Sequence, residues 1–174
     1  MIIISMLIMM VIPVAMIGKQ VSITQMGFII RKAIPVMENI AVLYPVAMKD
    51  TVVKDVRRAQ TIVRKKFVIY DISNKQELNK KISTILKTEK PAVIIFTDDL
   101  IFSPKTIQSL SEKFSPKGIP IFTNRKGDTK SGALVSLFYN DSGKLVKHLS
   151  KDQLALLKIQ LPEDVLAQFS VDSN

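Results

Sequence analysis

The chain is 174 residues long, the length of one domain at about 150 residues per domain, and it can bury a core without covalent staples. It has no cysteine, which excludes a disulfide framework, a thiolate nucleophile and a thiolate metal site. The balance is basic, 25 Lys+Arg against 15 Asp+Glu; these cations are spread along the chain without the interleaved aromatic residues of a base-stacking surface, so no nucleic-acid partner is expected.

Residues 1–17, MIIISMLIMMVIPVAMI, carry no charge. A soluble core helix is seldom apolar all round, and a full membrane span needs about 20 residues. Residues 1–20 therefore read as a hydrophobic export signal or short anchor, although no Lys or Arg precedes the apolar run. Residues 21–39 read as a helical connector that Pro35 ends or kinks, and residues 40–174 as a single α/β domain.

Ile40–Tyr44 is the first strand, broken by Pro45. A helix over 51–65 follows, with Val52, Val56, Ala59 and Val63 on one face. Phe67–Ile72 is a strand. Ser73 and Asn74 cap a helix over 75–87 whose apolar stripe is Leu78, Ile82, Ile85 and Leu86. Ala92–Phe96 is an uninterrupted apolar run, as in a strand buried on both faces of a parallel sheet. Ser103 offers a cap oxygen and Pro104 takes the first helical position, where its missing N–H costs nothing. Ile107, Leu110 and Phe114 then recur at helical spacing, and Lys117-Gly118 leads to a strand over 119–122.

After a polar loop over 123–131, Leu134–Tyr139 reads as a strand, Asn140–Gly143 as a turn and 144–149 as its antiparallel return. Ser150 with Gln153 three residues on is a capping box for a short helix through Leu157. A last helix covers 162–169, and Val171–Asn174 reads as a fraying tail. This order predicts an α/β fold: an open, mostly parallel sheet with helices on both faces and an antiparallel hairpin near the C-terminus.

Motifs that carry chemistry are few. Neither GxGxxG nor GxxxxGK[ST] occurs. His148 has no nucleophile or acid in a recognisable arrangement and reads as structural. Asp98-Asp99 lies at the carboxyl end of the central strand, where open parallel sheets bind ligands. Such a pair could hold a cation or act as acid and base, the basis of a metal-dependent enzyme alternative. The commoner role of Asp after a strand is to cap a turn, and no third carboxylate follows at ligand spacing. No cofactor and no metal site are expected.

From Ile34 onward the wording resembles one lobe of the substrate-binding proteins of ABC transporters. The similarity is carried by IPVMENIAVLYPV, by TDDLIFSPKTIQSLSEKFSPKGIPIF, by KSGALVSLFY and by the closing LSKDQLALLKIQLPEDVL. That resemblance implies an extracytoplasmic, periplasmic or membrane-anchored, non-enzymatic binding module. Those proteins close two lobes over a ligand, whereas this length supplies one, so a small ligand would call for a second copy and a homodimer. A single lobe behind an export-like segment also resembles the YfiR-type periplasmic regulators, which inhibit a membrane signalling protein; the partner would then be a membrane protein. By position, the ligand-side loops contain Tyr44, Pro45, Asp98, Asp99, Phe102, Asn124 and Arg125. Asp99 and Arg125 are expected on exposed loops, where truncation would leave stability almost unchanged.

Overall fold

The structure, a computed structural model, describes residues 20–89, 91–98 and 100–172. The export or anchor segment, except Gln20, lies outside the described residues, as does Asp99. Seven strands form one sheet: β1 (Asn39–Pro45), β2 (Lys66–Ile72), β3 (Pro91–Ile95), β4 (Ile121–Thr123), β5 (Val135–Tyr139), β6 (Leu145–Ser150) and β7 (Ser170–Asp172). Their spatial order is β2-β1-β3-β4-β5-β6-β7. Every neighbouring pair is parallel except β5 and β6, which run antiparallel.

The helices are α1 (Ile23–Ala33), α2 (Lys49–Val63), α3 (Lys75–Ile85), α4 (Pro104–Phe114), α5 (Lys151–Leu157) and α6 (Glu163–Leu166). The step from β1 to β2 runs one way across the sheet, while the steps from β2 to β3 and from β3 to β4 run the other way. Right-handed crossovers then require α2 on one face and α3 and α4 on the other. The two buried clusters have this composition. One joins α1 and α2 to Ile40, Val42, Tyr44, Ala92, Ile94, Phe96 and Phe122; the other joins α3 and α4 to Ala41, Leu43, Val93, Ile95 and Ile121. Alternate residues of β1 and β3 feed opposite faces, so apart from Asn39 at the start of β1 both strands are buried throughout.

The central unit follows its sequence signals closely. Ser103 Oγ accepts the Thr106 amide, with Pro104 at the first helical position. The capping box expected at Ser150 is half formed: Ser150 Oγ accepts from the Gln153 amide, but the Gln153 side chain turns away and accepts from Ser115 Oγ.

Two segments differ from expectation in their surroundings. Within 21–39, helix α1 has Ile23, Met26 and Ile30 fully buried in the same core as the sheet. Its Gly27 makes this possible, since a Cβ there would come within 3.0 Å of the Phe67 ring. Val171 and Asp172, read as part of a fraying tail, instead join Ser170 in β7, which pairs in parallel with His148–Ser150. The edge of β6 has unpaired amides and carbonyls, and an extended segment satisfies them.

Candidate functional site

Strands β1, β3, β4 and β5 all point the same way, so the loops that follow them share one carboxyl edge. The strand order reverses at β1, which has β2 on one side and β3 on the other. Ligands of open α/β sheets bind outside such strand ends.

The residues expected there divide into three groups. Tyr44, Pro45 and Phe102 are buried, and Tyr44 and Phe102 belong to opposite cores. Burial pushes the Tyr44 phenol up, and the Asp71 carboxylate, its register partner on β2, pushes it further, so it is neutral at ordinary pH. Asp98 caps a turn: its Oδ1 accepts the amides of Ile101 and Phe102, both at 2.7 Å. That bonding aims the loop so that Phe102 drops into the core and Ser103 starts α4.

Asn124 and Arg125 fasten loops to one another. Asn124 Oδ1 accepts both the Thr97 amide at 2.8 Å and the Thr97 hydroxyl at 2.9 Å. Arg125 Nη1 donates to the Asp98 carbonyl and Nη2 to the Phe102 carbonyl, while Nε donates to Asp128 Oδ1 at 2.9 Å. One guanidinium therefore holds the loop after β3 against the loop after β4. Its side chain is only 22% exposed, which corrects the expectation of an exposed loop position.

Asp128, which the sequence reading passed over, is the anchor of that clip. It is 1% exposed. Its Oδ2 has no partner in hydrogen-bonding geometry among the described residues. Burial raises its carboxyl above the ordinary range, opposed by the Arg125 guanidinium and then by the nearby Thr123 hydroxyl. That hydroxyl lies 2.9 Å from Ser136 Oγ, which itself donates to the Arg125 carbonyl. A polar residue in a polar loop gives no sequence signal of burial, so Asp128 was legible only as a loop acid three residues after an arginine.

Beside the clip lies an open cavity of about 410 Å³. Thr97, Asn124, Arg125 and Lys126 form one wall, and Phe138, Tyr139, Asn140 and Asp141 form the other. The second wall comes from the end of β5 and the hairpin turn, both seen in the sequence as structure and neither assigned to the site. Tyr139 is braced from α1, whose Gln25 Nε2 donates to its Oη at 3.0 Å. The cavity combines two cations, a carboxylate, side-chain amides and two rings, the mixture by which a site orients a small polar ligand. Among the described residues no group of three or more His, Cys, Asp or Glu side chains could hold a metal ion. His148 lies on β6 with its ring edge-on to Phe138, centroids 5.1 Å apart.

The fold is an open, mostly parallel sheet wrapped on both faces, with an antiparallel hairpin near the C-terminus. Three solved structures share it. One is a conserved domain protein from Vibrio cholerae O1 biovar El Tor, with a TM-score of 0.74 at 16% identity over 88% of this chain and 61% of that one. A second is the ligand-free, open structure of a substrate binding protein with adhesive properties from Clostridium difficile, with a TM-score of 0.72 at 16% identity over 88% of this chain and 60% of that one. A third is an ABC domain in complex with L-Trp from Streptococcus pneumoniae, with a TM-score of 0.70 at 15% identity over 85% of this chain and 59% of that one. The chain thus spans about three fifths of the length of these structures. No protein-family model matches the chain, and no curated protein matches it in sequence.

Proposed function

We propose that the chain is an extracytoplasmic, non-enzymatic binding module, one substrate-binding-protein-like lobe that takes a small polar ligand at its carboxyl edge. The observation that carries this reading is the cavity between the loop after β4 and the hairpin turn, where Asn124, Lys126, Tyr139, Asn140 and Asp141 converge from separate parts of the chain. The similar structures support it: one is named as a substrate binding protein and another holds L-Trp. Of the residues assigned to the site, Asn124 and Arg125 line the cavity. Asp98 shapes the loop beside it, and Tyr44, Pro45 and Phe102 support the edge from within.

A single lobe leaves one side of a ligand open to water. A second copy closing over it is the economical completion, so binding and dimerisation are expected together. Thermal unfolding of the full chain with L-tryptophan and the other common amino acids as probes tests the reading, with sedimentation run on any that respond. A ligand at a hundredfold excess over its dissociation constant stabilises by about 2.7 kcal/mol. At about 2–4 °C per kcal/mol for this size, that is a rise of roughly 5–10 °C. Lys126→Ala and Asn140→Ala should abolish the rise, and Lys66→Ala, at the opposite end of the strands, should keep it. If Lys66→Ala alone abolishes it, the site lies on the other edge and the reading fails.

The exposed tip of the loop after β3 favours a second reading, a regulator seated on a membrane protein: Leu100 is 85% exposed on the same edge. A regulator of this kind would need no small molecule, so a membrane partner that binds equally with and without every probe would select it.

A further inference from the structure

The chain enters its fold at the carboxyl edge. The first turn of α1 is tied there twice: Gln25 donates to Tyr139 at the end of β5, and the Ile23 amide and Thr24 hydroxyl donate to Asp55 in the second turn of α2, the helix that begins at that edge. Ser22 closes a full capping box with Gln25, and Ile23, Met26 and Ile30 are fully buried, so the start of α1 cannot swing to the other end of the sheet. Only residues 18–22 separate it from the uncharged run 1–17. Five residues span at most about 18 Å when fully extended.

The surface of that edge is of a matching kind. Leu100 is 85% exposed and Val46 48% exposed, on the loops after β3 and β1. Exposed lysines lie on the same edge, Lys75, Lys105 and Lys126, together with Lys49, which pairs with Asp71. Protruding apolar tips with long cationic side chains on the same edge suit the headgroup layer of a bilayer, where the tips bury and the lysines reach anionic phosphates. The opposite, amino edge is basic too: Arg31, Lys32, Lys113 and Lys117 lie in the last turns of helices, where they complement the helix dipoles, and Arg64 and Lys66 are exposed there. Lys65 there is held by the Pro35 carbonyl and Glu38.

We propose that the chain, anchored through residues 1–17, sits with its carboxyl edge against a lipid surface, so that the candidate cavity opens toward the membrane. Anything that docks at the cavity then arrives along the bilayer. The proposal rests on the anchor reading and is independent of what the cavity binds.

The absence of native cysteine permits a clean test. The full chain is reconstituted into vesicles of phosphatidylcholine and phosphatidylglycerol with nitroxide-labelled headgroups. A fluorophore is placed in turn at Leu100→Cys, Lys105→Cys, Val36→Cys and Lys117→Cys. Val36 is the decisive control: it is 66% exposed and apolar, yet lies at the amino edge. Strong quenching at the first two positions, and none above the vesicle-free background at the last two, supports the orientation. Equal quenching at all four, or stronger quenching at Val36→Cys, overturns it. Failure of every labelled chain to float with the vesicles overturns it too, by removing the anchor, and leaves the ligand reading standing.

Discussion

Removing the Arg125 guanidinium tests the clip that shapes the candidate site. In Arg125→Ala, Asp128 keeps its place, 1% exposed, and loses the donor to its Oδ1, while its Oδ2 has no partner in hydrogen-bonding geometry among the described residues. Breaking a buried ion pair from one side costs about 3–5 kcal/mol, because the remaining charge is uncompensated. Arg125 retains 22% exposure, so its own desolvation is incomplete and the lower figure applies. A loss of about 3 kcal/mol from a total of about 5–15 kcal/mol lowers the melting temperature by roughly 6–12 °C.

The pH dependence has a definite sign. Burial raises the Asp128 carboxyl in the folded state and Arg125 opposes the rise. An acid whose pKa is raised by folding binds more protons native than unfolded. Its contribution to stability is therefore fully present below the unfolded value of about 3.9 and is lost as the pH rises through the folded value. Deleting Arg125 lifts the folded value further. The deficit of the variant is then largest near neutrality and shrinks toward about pH 4. Urea unfolding followed by circular dichroism, at about pH 4.5 and about pH 7, measures both quantities. Arg125→Ala/Asp128→Asn, which removes the buried charge as well, should recover much of the loss. A deficit under about 1 kcal/mol at neutral pH, or one that does not shrink on acidification, refutes the argument.

Ile95→Asp places an unpaired carboxylate in a fully buried strand and should abolish cooperative unfolding; a soluble variant with near-native melting would show that β3 is not central. Gly132→Ala meets the Ser111 side chain at 2.5 Å in a backbone with φ of +96°, so a loss of about 2 kcal/mol is expected in urea. Gly143→Ala, at φ +73° in open space, should lose only the strain of about 1 kcal/mol, and equal losses at both glycines would remove the clash from the account. Asn124→Ala removes the acceptor for the Thr97 amide and hydroxyl, at a cost of about 1–2 kcal/mol, and Asn124→Asp, which keeps an acceptor, should restore most of it in the same thermal assay. Fusing residues 1–25 to a reporter active only outside the cytoplasm should give activity, and parity with a fusion lacking the segment would end the extracytoplasmic reading.

The fold was legible because its signals are local and redundant. Strand β3 is apolar without interruption, and Ser103-Pro104 starts α4 as their chemistry demands. The placement of α1 was not legible, since an amphipathic stretch shows that a helix has an apolar face without showing which surface covers it. The Ser22–Gln25 capping box, the same pattern recognised at Ser150, marked the start of α1 in plain view. The strand 170–172 has no pattern of its own; it exists because β6 offers an open edge.

The site was half legible for a related reason. Topology tells which loops meet at the carboxyl edge, but each polar residue there has to choose between a ligand and its own backbone. Asp98 caps its own loop, Asn124 serves Thr97, and Arg125 serves two carbonyls and Asp128. Long loops that must hold one shape in water use their best hydrogen-bonding side chains on themselves, so the groups most suggestive of chemistry in the sequence are the ones already engaged. Asn140 likewise serves its own turn, its Oδ1 accepting from the Ser142 hydroxyl and the Lys144 amide, so the proposed recognition falls chiefly to Lys126 and Asp141. The hairpin was read from its turn signal alone, as a device for reversing the chain. Its tip forms one wall of the cavity because β5 runs parallel to β4 and ends at the same edge, a relation between strands that no single stretch of sequence contains.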